Sequence, residues 1–305
     1  MKRFVVKFLF AAAVVGAVNL SLTLLRLVWW QKEVDRAFDV PEGVRVVGVG
    51  NSHVGCSFAE TPEFPVKLFW DAGMSFPFHY IRFRELERRG VFDRVKVCVV
   101  DCDTPALDYY YGEAVWKNLQ WTLPFAWRYL EYVPLPRLVL IRDLLFDVHP
   151  RTTFQIAVER PWEVPNWTTW DPERKKACFR NLYGAGWQTP QDWDSPIYPP
   201  HWREHLFSLI RDMKARCDRH GVRLIFLATP LASDDPGRTN PVVRDRVSAV
   251  AEKIRSMGIE YYDYRTAYPD EKMRDAGHLL LASAREFTER FLREVVDGRK
   301  PRPPR

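Results

Sequence analysis

Short apolar runs recur along the chain, and most stop at a cluster of turn-forming residues before a helical pattern begins. Residues 44–49 stop at Gly50-Asn51-Ser52-His53, and residues 66–70 stop at Asp71-Ala72-Gly73-Met74-Ser75. Residues 94–100 stop at Asp101-Cys102-Asp103-Thr104-Pro105, and residues 223–228 at Thr229-Pro230. A fifth run spans 259–262. Runs of this length bounded by turn residues predict buried strands. Between them, apolar residues at helical spacing predict helices over 78–89, 201–221, 241–257 and 281–296. Five strand–helix units predict an α/β fold with a mainly parallel sheet and helices on both faces. Ligands of such sheets bind outside the carboxyl ends of the strands, where the strand order switches. Each polar cluster in this chain follows a strand.

Residues 106–200 break the alternation. They hold eleven prolines and many aromatics, with helical pattern over only 112–130 and 135–146. The stretch predicts a long insertion, of the kind that caps a site or offers a partner surface. At the N-terminus, basic residues 1–7 precede an apolar run over 8–25, and Arg26, Trp29, Trp30 and Lys32 follow as interfacial residues. This predicts a single transmembrane anchor through residues 8–30, N-terminus inside and the body exported. A cleaved signal peptide is the competing expectation, with Val15-Gly16-Ala17 as its cleavage site; apolar sequence running on to Trp30 favours the uncleaved anchor. The expected organisation is therefore an anchor and linker over 1–36, one domain over 37–298 carrying the insertion, and a disordered basic tail over 299–305.

Charge narrows the function classes. The formal net charge is +6, but Lys2, Arg3, Lys7, Arg299, Lys300, Arg302 and Arg305 all lie in the terminal segments, and without those seven it becomes −1. No basic body remains to neutralise phosphates, so a nucleic-acid partner is not expected. Five cysteines show no zinc spacing, so no metal is expected. Cys98 and Cys102 on one strand are too far apart to bridge. No glycine-rich phosphate loop follows the first strand, which argues against a nucleotide cofactor.

The candidate chemistry sits at two turns. Ser52 follows the first strand at the start of a helix, a position suited to a nucleophile whose attack creates an oxyanion. Asp275-Ala276-Gly277-His278 precedes the last helix, and its spacing lets the carboxylate hold one imidazole nitrogen while the other faces outward. His53 beside Ser52 is a candidate pocket residue. His79, His149, His201, His205 and His220 have no partner pattern and are expected on the surface.

Gly50-Asn51-Ser52-His53 resembles the first block of the SGNH (GDSL-type) hydrolases, and Asp275-Ala276-Gly277-His278-Leu279 resembles their last. The resemblance covers about residues 43–105 and 201–297. It implies a flavodoxin-like three-layer α/β/α fold, with Ser52 as nucleophile, His278 as base and Asp275 as its partner. It also implies an oxyanion hole from the Ser52 N–H, a glycine N–H matched by Gly73, and an asparagine after the third strand. Here that last segment reads Asp101-Cys102-Asp103-Thr104 and offers no carboxamide; Asn51, His53, Asp101, Asp103 and Thr104 are the other candidate oxyanion or substrate-binding residues. The plan resembles membrane-anchored members that add or remove acyl groups on envelope polysaccharides beside a membrane-embedded acyltransferase. An esterase or O-acyltransferase of the periplasm or cell surface is thus the first expectation, without a cofactor. A catalytically weak SGNH-like domain binding glycan or partners is the second. The tryptophan-rich insertion (Trp162, Trp167, Trp170, Trp187, Trp193) and Trp202 suit sugar stacking.

Overall fold

The computed structural model describes residues 3–11, 13–18, 21, 35, 38–70, 76–102 and 202–298. The insertion, its expected helices, Gly73, Asp103, Thr104, His149, His201 and the tail 299–305 lie outside the described residues. The chain divides into two compact units, and the one formed by Val40–Glu113 and Glu163–Arg305 contains every strand described below.

Its centre is a five-stranded sheet of β1 (Val46–Gly50), β2 (Val66–Trp70), β3 (Val97–Asp101), β4 (Arg223–Ala228) and β5 (Glu260–Asp263). All pairs are parallel, in the order β2-β1-β3-β4-β5. The helices are α1 (Ser52–Ser57), α2 (Phe76–Arg88), α3 (Trp202–Arg219), α4 (Pro236–Thr239), α5 (Pro241–Ser256) and α6 (Leu281–Phe291). Strand alternation decides which residues meet which helices. Val46, Val66, Leu68, Val97, Val99, Ile225 and Leu227 form a cluster with Val54 of α1 and Ala284, Phe287 and Phe291 of α6. On β4 the intervening Phe226 stacks on Phe76 of α2, with ring centroids 6.0 Å apart. Chain order reverses direction between β1 and β3, so the switch point opens at the carboxyl ends of these two strands.

Several boundaries differ from the sequence expectation for local reasons. The third strand begins at Val97 rather than Arg94, because Val91–Asp93 forms a 3₁₀ turn closed by Arg94 N–H on the Val91 carbonyl at 3.0 Å. The first begins at Val46, after Arg45 N–H has bonded the Pro65 carbonyl at 2.9 Å. The last helix is α-helical only to Phe291 and continues as a π-helical turn over Leu292–Val296. The short α4, capped by the Asp235 carboxylate on Gly237 N–H at 2.6 Å, has no apolar periodicity to announce it.

Three histidines expected on the surface lie deeper than that. His79 is fully buried within α2, not on the surface, because α2 buries most of its circumference rather than one stripe. His220 is partly buried, its Nδ1 2.9 Å from the Asp93 carboxylate, and His205 is partly buried on α3. At the other end of the chain, residues 3–11 and 13–18 are helical. Among the described residues no helix is long and apolar enough to cross a membrane.

Candidate active site

The turn after β1 is built by two small residues. A Cβ at position 50 would lie 2.8 Å from the side chains of both Asp101 and Val54, so glycine lets β1, β3 and α1 converge where the chain turns. Asn51 then caps α1: its side-chain oxygen accepts the His53 N–H at 2.7 Å. Ser52 follows as the first helical residue, partly exposed, while Val54 pins the helix into the core. The first-turn N–H groups of a helix have no intrahelical acceptor, which leaves donors beside Ser52.

The loop before α6 is held equally firmly. Met273 and Leu279 form an isolated antiparallel bridge. Arg274 N–H bonds the His278 carbonyl at 2.7 Å, and Ala232 N–H bonds the Ala276 carbonyl at 2.9 Å. Asp275 Oδ1 accepts two bonds, from Gly277 N–H at 3.1 Å and from His278 Nδ1 at 2.6 Å. With Nδ1 donating to the carboxylate, Nε2 carries the lone pair and accepts the Ser52 hydroxyl at 2.9 Å. Ser52 and His278, 226 positions apart, are therefore in hydrogen-bond contact at the switch point.

The electrostatics suit a base. Burial pushes the His278 pKa below its usual 6.5, with His53 and Arg274 acting in the same direction; the adjacent Asp275 carboxylate opposes them without overcoming them. The imidazole is thus neutral at neutral pH, ready to take a proton. Burial pushes the Asp275 carboxyl upward, but His278, Arg274 and the Gly277 N–H outweigh it and hold its pKa down to about 2. The acid is thus ionised at neutral pH, where the histidine is neutral.

The other candidates are placed differently. Asn51 is buried in its capping role, and Asp101 ends β3 fully buried. His53 is 2% exposed and meets the His278 ring edge-on. Gly73, Asp103 and Thr104, the positions expected to furnish oxyanion donors or their replacements, lie outside the described residues. Among the described residues no group of three His, Cys, Asp or Glu side chains could hold a metal ion. Arg274 was not singled out by the sequence. Its Nε lies 3.3 Å from Asp275 Oδ2 and its Nη2 3.8 Å from Cys56 Sγ. A basic residue directly before the acid was the available signal.

No protein-family model matches the chain, and no curated protein matches it. Solved structures similar to it include the following two. A proposed acylhydrolase of Bacteroides fragilis NCTC 9343 is 12% identical, covering 88% of this chain and 95% of its own, with a TM-score of 0.42. A GDSL-like lipase of Bacteroides thetaiotaomicron VPI-5482 is 10% identical, covering 89% and 97%, with a TM-score of 0.43.

Proposed function

We propose that this protein is a serine esterase or O-acyltransferase that works through an acyl-Ser52 intermediate on acyl esters of cell-envelope polysaccharide. The observation that carries the chemistry is the continuous chain Ser52 Oγ to His278 Nε2, 2.9 Å, and His278 Nδ1 to Asp275, 2.6 Å. In this mechanism His278 takes the Ser52 proton as Oγ attacks the ester carbonyl. It then returns the proton to the departing alkoxide, leaving acyl-Ser52. Asp275 keeps Nδ1 protonated and stabilises the imidazolium without accepting the proton. Water or a sugar hydroxyl, deprotonated by the same Nε2, attacks the acyl group and releases Ser52. Hydrolysis and transfer differ only in which hydroxyl is admitted.

The envelope setting rests on the N-terminal segment. The side chains of Phe4, Val5, Val6, Phe8, Leu9, Phe10, Val14, Val15 and Val18 are between 45% and 74% exposed. Apolar surface of this density is costly in water and favourable in a bilayer. The proposed arrangement is a single-pass anchor through residues 8–30 in the cytoplasmic membrane, N-terminus inside, with the domain outside beside a membrane-embedded acyltransferase.

One observation favours a second reading, a weak or inactive binding domain. β3 ends in a buried carboxylate, Asp101, at the strand end where the SGNH pattern leads to a carboxamide, and losing one oxyanion donor costs about 10²–10³ in rate. The two are separated by assaying the full chain in detergent on an aryl acetate, with Ser52→Ala as control, and by fluorophosphonate labelling. Activity and labelling that vanish in Ser52→Ala support the enzyme; equal rates and no labelling of Ser52 leave the binding domain.

A further inference from the structure

His53 immediately follows the nucleophile, yet its side chain is turned into the protein. The Asn51 cap fixes its backbone N–H at 2.7 Å, and the ring is 2% exposed. It meets the His278 imidazole edge-on, with ring centroids 5.1 Å apart and planes at 80°. The same ring lies against the backbone of Gly277. A Cβ built at 277 would come within 2.6 Å of His53 Cε1 and 2.7 Å of Nε2, well inside the ordinary contact distance. The glycine between Asp275 and His278 is therefore required by a side chain from the other end of the site.

We propose that His53 is a positioning residue for the Ser52–His278–Asp275 chemistry. Its ring fills the space against Gly277 and stops the His278 imidazole from swinging away from Ser52. The role rests on the serine esterase or acyltransferase reading, but the packing it describes does not. Asp275 and Ser52 hold the imidazole at its two nitrogens, and two hydrogen bonds in the ring plane leave a tilt of the ring about the line joining them unopposed. The edge contact from His53 opposes it. The groups facing His278 are then the Asp275 carboxylate, the Arg274 guanidinium, the His53 ring and the Ser52 hydroxyl. Keeping water off the His53 side also maintains the burial that lowers the His278 pKa.

The test is a double-mutant cycle on the full chain in detergent, read with an aryl acetate. Gly277→Ala forces its new methyl group into the His53 ring and displaces His278; kcat/KM falls about 10²-fold, the usual consequence of misplacement by about 1 Å. His53→Ala lowers kcat by about tenfold, a smaller loss because the displacing contact is absent and the imidazole is only loosened. His53→Phe, which keeps a ring edge against His278, recovers part of that loss. Because the alanine at 277 has nothing to strike once His53 is truncated, the double variant is no worse than His53→Ala alone. Losses that simply multiply, or a His53→Phe variant as slow as His53→Ala, overturn the proposal. A second readout does not need turnover. Titration of the His278 ring by nuclear magnetic resonance should show its pKa rising further towards 6.5 in His53→Ala than in His53→Phe, since both remove the His53 charge but only the first lets water reach the ring. Equal titrations in the two variants overturn the wedge even in a protein that hydrolyses nothing. A wild type with no activity but with the expected difference in titration between the variants counts against the enzymatic reading alone.

Discussion

At the scale of single residues, the site is governed by what surrounds His278. A base works when it is neutral, and burial together with His53 and Arg274 favours the neutral imidazole. The acid limb of kcat/KM should therefore lie below pH 6.5, the midpoint of a free imidazole. A pH profile on an aryl acetate measures this, and a limb at or above 6.5 contradicts it. The same shifts have a stability consequence. Both His278 and Asp275 bind protons more readily in the unfolded chain, their folded pKa values lying below 6.5 and 3.8. Their contribution to stability is therefore complete above 6.5 and is lost as pH falls, first through the histidine and then through the acid between 3.8 and about 2. Asp275→Asn preserves shape but removes the full negative charge that accepts the hydrogen bonds from His278 Nδ1 and Gly277 N–H. By analogy with the chymotrypsin triad, in which the equivalent change favours the wrong tautomer, kcat should fall by about 10⁴ with little change in folding. A loss under tenfold would show that the carboxylate does not orient the imidazole.

At the scale of elements, α1 and α6 carry the two halves of the site and are fastened to each other as well as to the sheet. Phe58 at the end of α1 packs edge-to-face on Phe287 and Phe291 of α6, with centroids 5.0 and 5.1 Å apart. Thr288 bridges the same elements: its hydroxyl accepts the Ala59 N–H at 2.8 Å and donates to the Ala284 carbonyl at 2.7 Å. Thr288→Val keeps the volume but strands a buried N–H, which should destabilise the fold by about 1–3 kcal/mol in urea unfolding. Phe287→Ala opens the centre of the shared cluster and should cost about 3–5 kcal/mol. Since α6 positions the His278 loop and α1 positions Ser52, both variants should also lower kcat at temperatures where they remain folded. An unchanged kcat in Thr288→Val would show that the sheet alone sets the distance between the two loops.

At the scale of the molecule, the 2-1-3-4-5 strand order is what makes one site from two distant loops. A parallel sheet sends every strand's carboxyl end to the same edge, and the reversal after β2 opens that edge between β1 and β3. Away from this edge, partly buried polar groups fasten α2 to α3. Tyr80 of α2 bonds Asp212 of α3, and Arg216 reaches both Asp212 and Glu87. The proposed membrane anchoring has its own measurement. Removing residues 1–36 should shift the protein from the membrane fraction to the supernatant, with hydrolysis of a soluble aryl ester retained. A full-length chain already released by a high-salt wash would contradict the anchor.

The strands and main helices were legible because short apolar runs and helical periodicity are local properties, enforced by what each face must bury. Asp275 and His278 were legible as a candidate pair because a spacing of three permits their contact and a turn serine precedes them in the chain. Local pattern could not show that α2 buries His79, since burial depends on α3 and the sheet packing around it. Nor could it show that His53 lies against Gly277, because that contact joins segments 224 positions apart. The amino-acid sequence by itself determined an α/β chain with a serine after its first strand and an Asp-x-x-His before its last helix. Only the tertiary structure decided that Ser52 and His278 meet at 2.9 Å and that burial lowers the pKa of the imidazole. Distance and dielectric environment are properties of packing, which no single segment carries.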